Sequence, residues 1–114
     1  MSSEFNLLTE TKDNCVVIKT TGYINNVGGQ KIVEEFYRHN ENGINNVILN
    51  LAHSNVVNSI GISFLIEIIE ELNQSKGMLI FTNLDPAIEK TFTIMGLFQF
   101  AKKADNLDEA LKLL

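Results

Sequence analysis

Residues 47–72 read VILNLAHSNVVNSIGISFLIEIIEEL, and this stretch decides the fold. Residues 47–51 place apolar side chains on both faces of an extended chain, which is typical of a buried parallel strand. From about residue 60 the apolar residues recur at helical spacing and predict a helix over 60–75. The apolar stripe of that helix consists of Ile62, Leu65, Ile66, Ile69 and Leu72. A buried strand that leads through a short turn into an amphipathic helix indicates an α/β fold.

The flanking sequence continues the alternation of strands and helices. The other predicted elements are strands at 5–10 and 15–21, a helix at 28–40, a strand at 78–82, a helix from Pro86 to near Gly96, a strand within LFQFA (97–101) and a closing helix within NLDEALKLL (106–114). Asp85 before a proline is a typical helix start, and Asn106 or Asp108 would cap the last helix. The pattern predicts one α/β domain over residues 1–114, with helices mainly on one side of the sheet.

The composition limits the classes of protein to which this chain can belong. A 114-residue chain with 45% hydrophobic residues is large enough for one core, and its only cysteine, Cys15, lies in an apolar run and is expected to be buried. No stretch is long enough to cross a membrane, and the N-terminal residues MSSEFNLL lack the pattern of a signal peptide. We therefore expect a cytoplasmic protein without direct membrane insertion.

Charge and motifs argue against nucleic-acid binding and against catalysis. The formal net charge is −5 and the basic residues are scattered, whereas a phosphate-reading surface needs clustered Lys and Arg. His39 and His53 have no Cys, His or carboxylate at metal-ligand spacing. The string NNVGGQK matches neither common phosphate-binding loop, and no G-x-S-x-G elbow is present. We expect no enzyme activity, no metal and no cofactor, and a protein or small-molecule partner is favoured over nucleic acid.

Ser59 is the remaining candidate for a functional residue, and it lies between the end of a predicted strand and the start of a predicted helix. Open α/β sheets place their functional loops at the carboxyl ends of the parallel strands, which is where Asn58 and Ser59 are expected. Two interpretations are open. Ser59 caps the helix by accepting a hydrogen bond from an early backbone N–H, or its hydroxyl is exposed in order to be modified.

Two segments resemble the STAS family of bacterial anti-sigma-factor antagonists. In VILNLAHSNVVNSIGISFL the family has an apolar strand, a short loop and then Asp-Ser-(Ser/Thr/Ala)-Gly-Leu at the start of a helix. NLDPAIEKTFTIMGLFQF is similar to the family's run from a proline to a Gly-Leu pair, with Gly96 and Leu97 at the family's spacing. This chain departs from the family at Asn58 and Ile60, and at Asn25, where an acidic residue is often found.

The resemblance implies a STAS-like domain with a four- to five-stranded mixed sheet. It also implies an anti-sigma-factor antagonist that works by partner switching. In that mechanism the unphosphorylated chain binds an anti-sigma serine kinase of the histidine-kinase-like ATPase type, and phosphorylation of Ser59 releases the kinase. A PP2C-type phosphatase then removes the phosphate. The residues expected to contact the partner are Asn25, Asn26, Asn58, Ser59, Ser63 and Glu67. The alternative is a scaffold or accessory subunit, without switching, in a stress-signalling or transporter complex.

Overall fold

In the computed structural model of the chain, which describes residues 4–114, five strands form one sheet in the order β1-β2-β3-β4-β5. The elements are β1 (Asn6–Lys12), β2 (Cys15–Thr21), α1 (Asn26–Asn40), β3 (Asn46–His53), α2 (Ser59–Gln74), β4 (Met78–Thr82), α3 (Pro86–Ile94), a 3₁₀ turn (Leu97–Gln99), β5 (Lys102–Ala104) and α4 (Leu107–Leu111). Residues 1–3 of the predicted domain lie outside the described residues.

The sheet is mixed, as the resemblance implied. β1 runs antiparallel to β2, and the pairs β2–β3, β3–β4 and β4–β5 are parallel. The carboxyl ends of β2, β3 and β4 therefore share one edge of the sheet, called here the C-terminal edge. Because α1, α2 and α3 each follow one of these strands, all three helices begin at that edge.

The two faces of the sheet carry cores of different size. The larger core joins the sheet to α1, α2 and α3 and contains Phe36, Leu65 and Phe92. The smaller core lies under α4 and contains Cys15, which burial keeps protonated by raising its thiol pKa. The predictions of helices mainly on one face and of a buried Cys15 are thus confirmed.

The strand predicted at 97–101 is wrong in position. Gly96 adopts a left-handed backbone (φ 80°) that ends α3, and the chain then makes a 3₁₀ turn. The backbone N–H of Ala101 donates to the carbonyl of Leu97 at 3.0 Å, so these two buried residues lie one turn apart and both face the core. An extended segment would have placed Phe100, which is 63% exposed, on one of the sheet faces. The last strand begins only at Lys102, which pairs with Ile80 of β4.

Gly61 holds the start of α2 against the segment that follows β2. A Cβ added at this position would lie 2.1 Å from the carbonyl oxygen of Ile24, a distance that carbon and oxygen atoms cannot share. The backbone N–H of Asn58 donates to the same carbonyl at 3.1 Å. The glycine in the N-S-I-G sequence therefore permits a close approach of two backbones, which sets the position of the first turn of α2.

We predict that Gly61→Ala destabilises the fold by about 1–3 kcal/mol, because the overpacking strain outweighs the better helix propensity of alanine. Denaturant titration measures the free energy of unfolding. Ser63→Ala, an exposed site in the same helix, is the matched control and should change it by less than about 0.5 kcal/mol. An alanine at position 61 that left the stability unchanged would contradict the close contact.

Candidate functional site

Two loops lie side by side at the C-terminal edge. Residues 22–25 follow β2 and residues 54–58 follow β3, and an isolated parallel bridge joins Ile24 to Val57. The backbone N–H of Ile24 donates to the carbonyl of Val56 at 2.9 Å, and the N–H of Gly22 donates to that of His53 at 3.0 Å. These bonds bring the starts of α1 and α2 next to each other.

Each of the two helices is capped by an asparagine. The side-chain oxygen of Asn25 accepts from the backbone N–H groups of Val27 and Gly28, both at 3.0 Å. The side-chain oxygen of Asn58 accepts from the N–H of Gly61 at 2.8 Å. The first interpretation of Ser59, that it caps α2, is therefore wrong. Asn58 has the extended backbone (φ −99°, ψ 177°) that a cap requires, whereas Ser59 is already the first helical residue.

The Ser59 side chain is exposed to solvent. Within residues 4–114 its hydroxyl makes no hydrogen bond, in contrast to the two nearby serines. Ser54 is fully buried and shares a 2.7 Å hydrogen bond with Thr20, and the hydroxyl of Ser63 donates to the carbonyl of Ile60 at 2.6 Å. Ser59 thus offers a free hydroxyl at the start of a helix.

The structure brings most of the predicted contact residues to this edge. Asn25 and Asn58 are half-buried, with their oxygen atoms engaged as caps, and Asn26 is exposed at the first position of α1. Ser63 is exposed one turn after Ser59.

Glu67 lies a further turn along α2 and is half-buried against α1. Its carboxylate accepts a 2.8 Å hydrogen bond from the Tyr37 hydroxyl, and this bond raises the pKa of Tyr37 to about 12. The same bond joins α1 to α2, so Glu67 has a contact within the fold in addition to any it makes with a partner.

Four exposed apolar side chains lie on the two paired loops and on the first turns of α1 and α2, and the sequence analysis did not identify them. They are Tyr23, Val27, Val56 and Ile60, with exposures of 44%, 51%, 50% and 51% respectively, and together they are called here the apolar rim. The sequence does indicate that Ile60 is exposed, because Ile60 lies two residues before Ile62 and is therefore outside the apolar stripe of α2. Exposed apolar side chains that are grouped are typical of contact surfaces, which makes this edge a candidate contact site.

The site is also free of charged side chains over long stretches. Residues 20–30 and 54–66 contain no Asp, Glu, Lys, Arg or His, although 20% of the chain is charged. Neither α1 nor α2 has an acidic residue in its first turn, so the partial positive charge of both helix starts is not neutralised there. The local field consequently favours an anion at Ser59.

The histidines do not join this site as catalytic or ligating groups. His39 lies in the last turn of α1, where its ring is 3.2 Å from Glu35. His53 is exposed at the end of β3. The described residues contain no group of three or more side chains arranged to hold a metal ion. No helix between residues 4 and 114 is both long and apolar enough to span a membrane.

Comparison with known proteins shows the family. The STAS domain model matches residues 6–110. BtrV of Bordetella bronchiseptica, assigned as an anti-sigma factor antagonist, is 21% identical over 98 residues, which cover 86% of this chain and 84% of that protein.

Solved structures show the same fold. A Thermotoga maritima protein assigned as an anti-sigma factor antagonist has a TM-score of 0.86 at 16% identity, covering 94% of this chain and 92% of its own. The Bacillus cell fate determinant SpoIIAA in its phosphorylated form has a TM-score of 0.75 at 22% identity, covering 95% of this chain and 98% of its own. This chain has the fold of anti-sigma factor antagonists, and it belongs to the STAS domain family.

Proposed function

We propose that this chain is an anti-sigma factor antagonist, a regulatory protein and not an enzyme, whose binding to an anti-sigma serine kinase is controlled by phosphorylation of Ser59. The observation that carries the proposal is the exposed, unbonded Ser59 hydroxyl at the start of α2, at the edge of the sheet that also carries the apolar rim. Two relatives assigned as anti-sigma factor antagonists support it, as does a protein of the same fold that has been solved in phosphorylated form.

A phosphate on Ser59 is compatible with the fold. It adds about −1.5 to −2 charge at neutral pH, and the start of a helix stabilises an anion by about 0.3–1 kcal/mol. No lysine or arginine occurs in residues 20–30 or 54–66, so these stretches offer no cation that could bind the phosphate. Phosphorylation would therefore alter the surface at the C-terminal edge and leave the packing beneath it unchanged.

The same phosphate is incompatible with a partner that covers the apolar rim. Such a partner removes water from the edge, and a charge left there without a counter-ion costs several kcal/mol. Each 1.4 kcal/mol corresponds to about a tenfold loss of affinity. Modification of one hydroxyl is thus sufficient to release the partner.

The switching cycle has two enzymes that act on this chain. The unphosphorylated chain binds a kinase of the histidine-kinase-like ATPase type, and that kinase phosphorylates Ser59 with its own ATP. A PP2C-type phosphatase restores the binding form. The partner contacts Asn25, Asn26, Asn58, Ser59, Ser63 and Glu67. The amide nitrogens of the two caps remain available for this contact, because only their oxygen atoms bond the helix starts.

We predict that Ser59 is the only serine phosphorylated by the partner kinase. Incubation with the kinase and ATP, followed by intact-mass measurement and peptide mapping, should show a single phosphate on Ser59 and none on Ser59→Ala. Ser63 is the internal control, because it is also exposed but its hydroxyl is bonded to a carbonyl. Phosphate on Ser63 with Ser59 unmodified would contradict the assignment.

Binding is predicted to depend on charge at position 59. Ser59→Asp should weaken binding to the kinase by at least about tenfold, because the carboxylate would be buried without a counter-ion. Ser59→Asn is the matched control, because asparagine has nearly the same size as aspartate but no charge. Ser59→Ala should bind as the wild type does. Calorimetry with purified kinase, after capture from native lysate, gives the affinities. Equal affinity for wild type and Ser59→Asp would favour the scaffold role instead.

A switch residue should not hold the fold together, and the caps allow a direct test. Asn58→Ala removes the hydrogen bond to Gly61 and should lower the free energy of unfolding by about 1 kcal/mol. Ser59→Ala should change it by less than about 0.5 kcal/mol, as is usual for exposed sites. Chemical denaturation of the two variants in parallel decides the point. If Ser59→Ala were the more destabilising of the two, Ser59 would have a structural role.

A further inference from the structure

We infer that the partner that covers Ser59 presents an apolar and uncharged surface, so that the complex is held by apolar contact and not by ion pairs. This inference rests on the proposed function, because it concerns the protein partner bound at the C-terminal edge. It adds the chemistry of that partner's surface, which the family resemblance does not supply.

The apolar rim lies on the two paired loops and on the first turns of the helices that follow them. Ile60 follows Ser59 in the first turn of α2, and Val56 precedes the cap of the same helix. Val56 is joined to the neighbouring loop by the 2.9 Å hydrogen bond from Ile24, whose chain neighbour is Tyr23. Val27 lies in the first turn of α1, within the two residues that follow its cap. Contact between an apolar surface and these two loops would remove apolar area from water.

Charged groups occur at the margins of the rim and not within it: Lys31 is exposed on α1, one turn after Val27. His53 and Asp85 line a depression together with Thr21, Asn55 and Leu84. Glu67 is engaged by the Tyr37 hydroxyl. Residues 20–30 and 54–66 therefore offer a charged partner no carboxylate or cation to pair with. The partial charge of a helix start offsets only about 0.3–1 kcal/mol of the hydration free energy that a buried charge loses.

The two asparagine caps strengthen this conclusion. Aspartate caps a helix as well as asparagine does, and its charge interacts favourably with the helix start. Folding alone would therefore accept a carboxylate at positions 25 and 58. An amide at both positions keeps the edge neutral where the fold does not require neutrality, which points to the surface that the edge meets.

The first test measures whether negative charge at the C-terminal edge weakens or strengthens binding of the partner. Binding of the purified anti-sigma kinase is measured by calorimetry at about 0.05 M and 0.5 M NaCl, a range over which exposed ion pairs are strongly screened. The wild-type affinity should change by less than about threefold, and Asn25→Asp and Asn58→Asp should each weaken binding by about fivefold or more. Tighter binding by either variant, or a tenfold loss of wild-type affinity at high salt, would overturn the inference and indicate a basic partner surface.

The second test measures the apolar contact itself. Ile60→Ser should weaken binding by about tenfold, because a half-exposed side chain of the rim no longer contributes apolar area. Ile94→Ser is the matched control: Ile94 is 74% exposed at the end of α3, away from the rim, and the substitution should leave the affinity unchanged. Circular dichroism checks that both variants are folded. Equal affinities for the two variants would overturn the inference.

The outcomes separate this inference from the proposed function. A kinase that phosphorylates Ser59 but binds through salt-sensitive contacts upholds the function and overturns the apolar surface. A captured protein without kinase activity contradicts the proposed switch, and the same salt and Ile60→Ser measurements on that protein still decide its surface chemistry. If the wild-type chain captures no protein at all, both proposals fail.

Discussion

The contact between Gly61 and the carbonyl of Ile24 is the constraint on which the candidate site depends. It lets α2 start beside the segment that follows β2, closer than any residue with a Cβ would allow. The same carbonyl accepts the N–H of Asn58, so one peptide unit fixes both the packing and the capping end of α2. With this contact in place, the parallel bridge between the two loops brings together the starts of α1 and α2, and Ser59 is exposed as the first residue of α2.

Much of the fold could be predicted from the sequence because its strands and helices differ strongly in pattern. The buried strand around VILNL and the apolar stripe of α2 were both assigned to the right element, with ends that differ by one or two residues. The prediction of a strand in LFQFA is wrong because so short an apolar run fits both the two-residue period of a strand and the 3.6-residue period of a helix. Only the tertiary packing of Leu97 and Ala101 against the core, after the left-handed Gly96, selects a 3₁₀ turn.

The site was harder to predict than the fold. Asn58 and Ser59 are both good capping residues, so the local sequence does not decide which one accepts the hydrogen bond from α2; the extended backbone at Asn58 does. The apolar rim was missed for a different reason. Val27 and Val56 are close only because residues 22–25 pair with residues 54–58, and that pairing between distant parts of the chain leaves no periodic signal in either segment.

The hydrogen-bonded pairing of the two loops also bears on how a partner would associate. Buried Ser54 is bonded to Thr20, and the two loops are hydrogen-bonded to each other and to β3, so contacts within the chain set the shape of this surface. Binding to such a surface requires little ordering of the chain and loses little conformational entropy. Rigid docking of this kind gives association rates that vary little among variants of one interface, and differences in affinity then appear in the rate of dissociation. For this protein, the lifetime of the complex would be the quantity that a single phosphate changes.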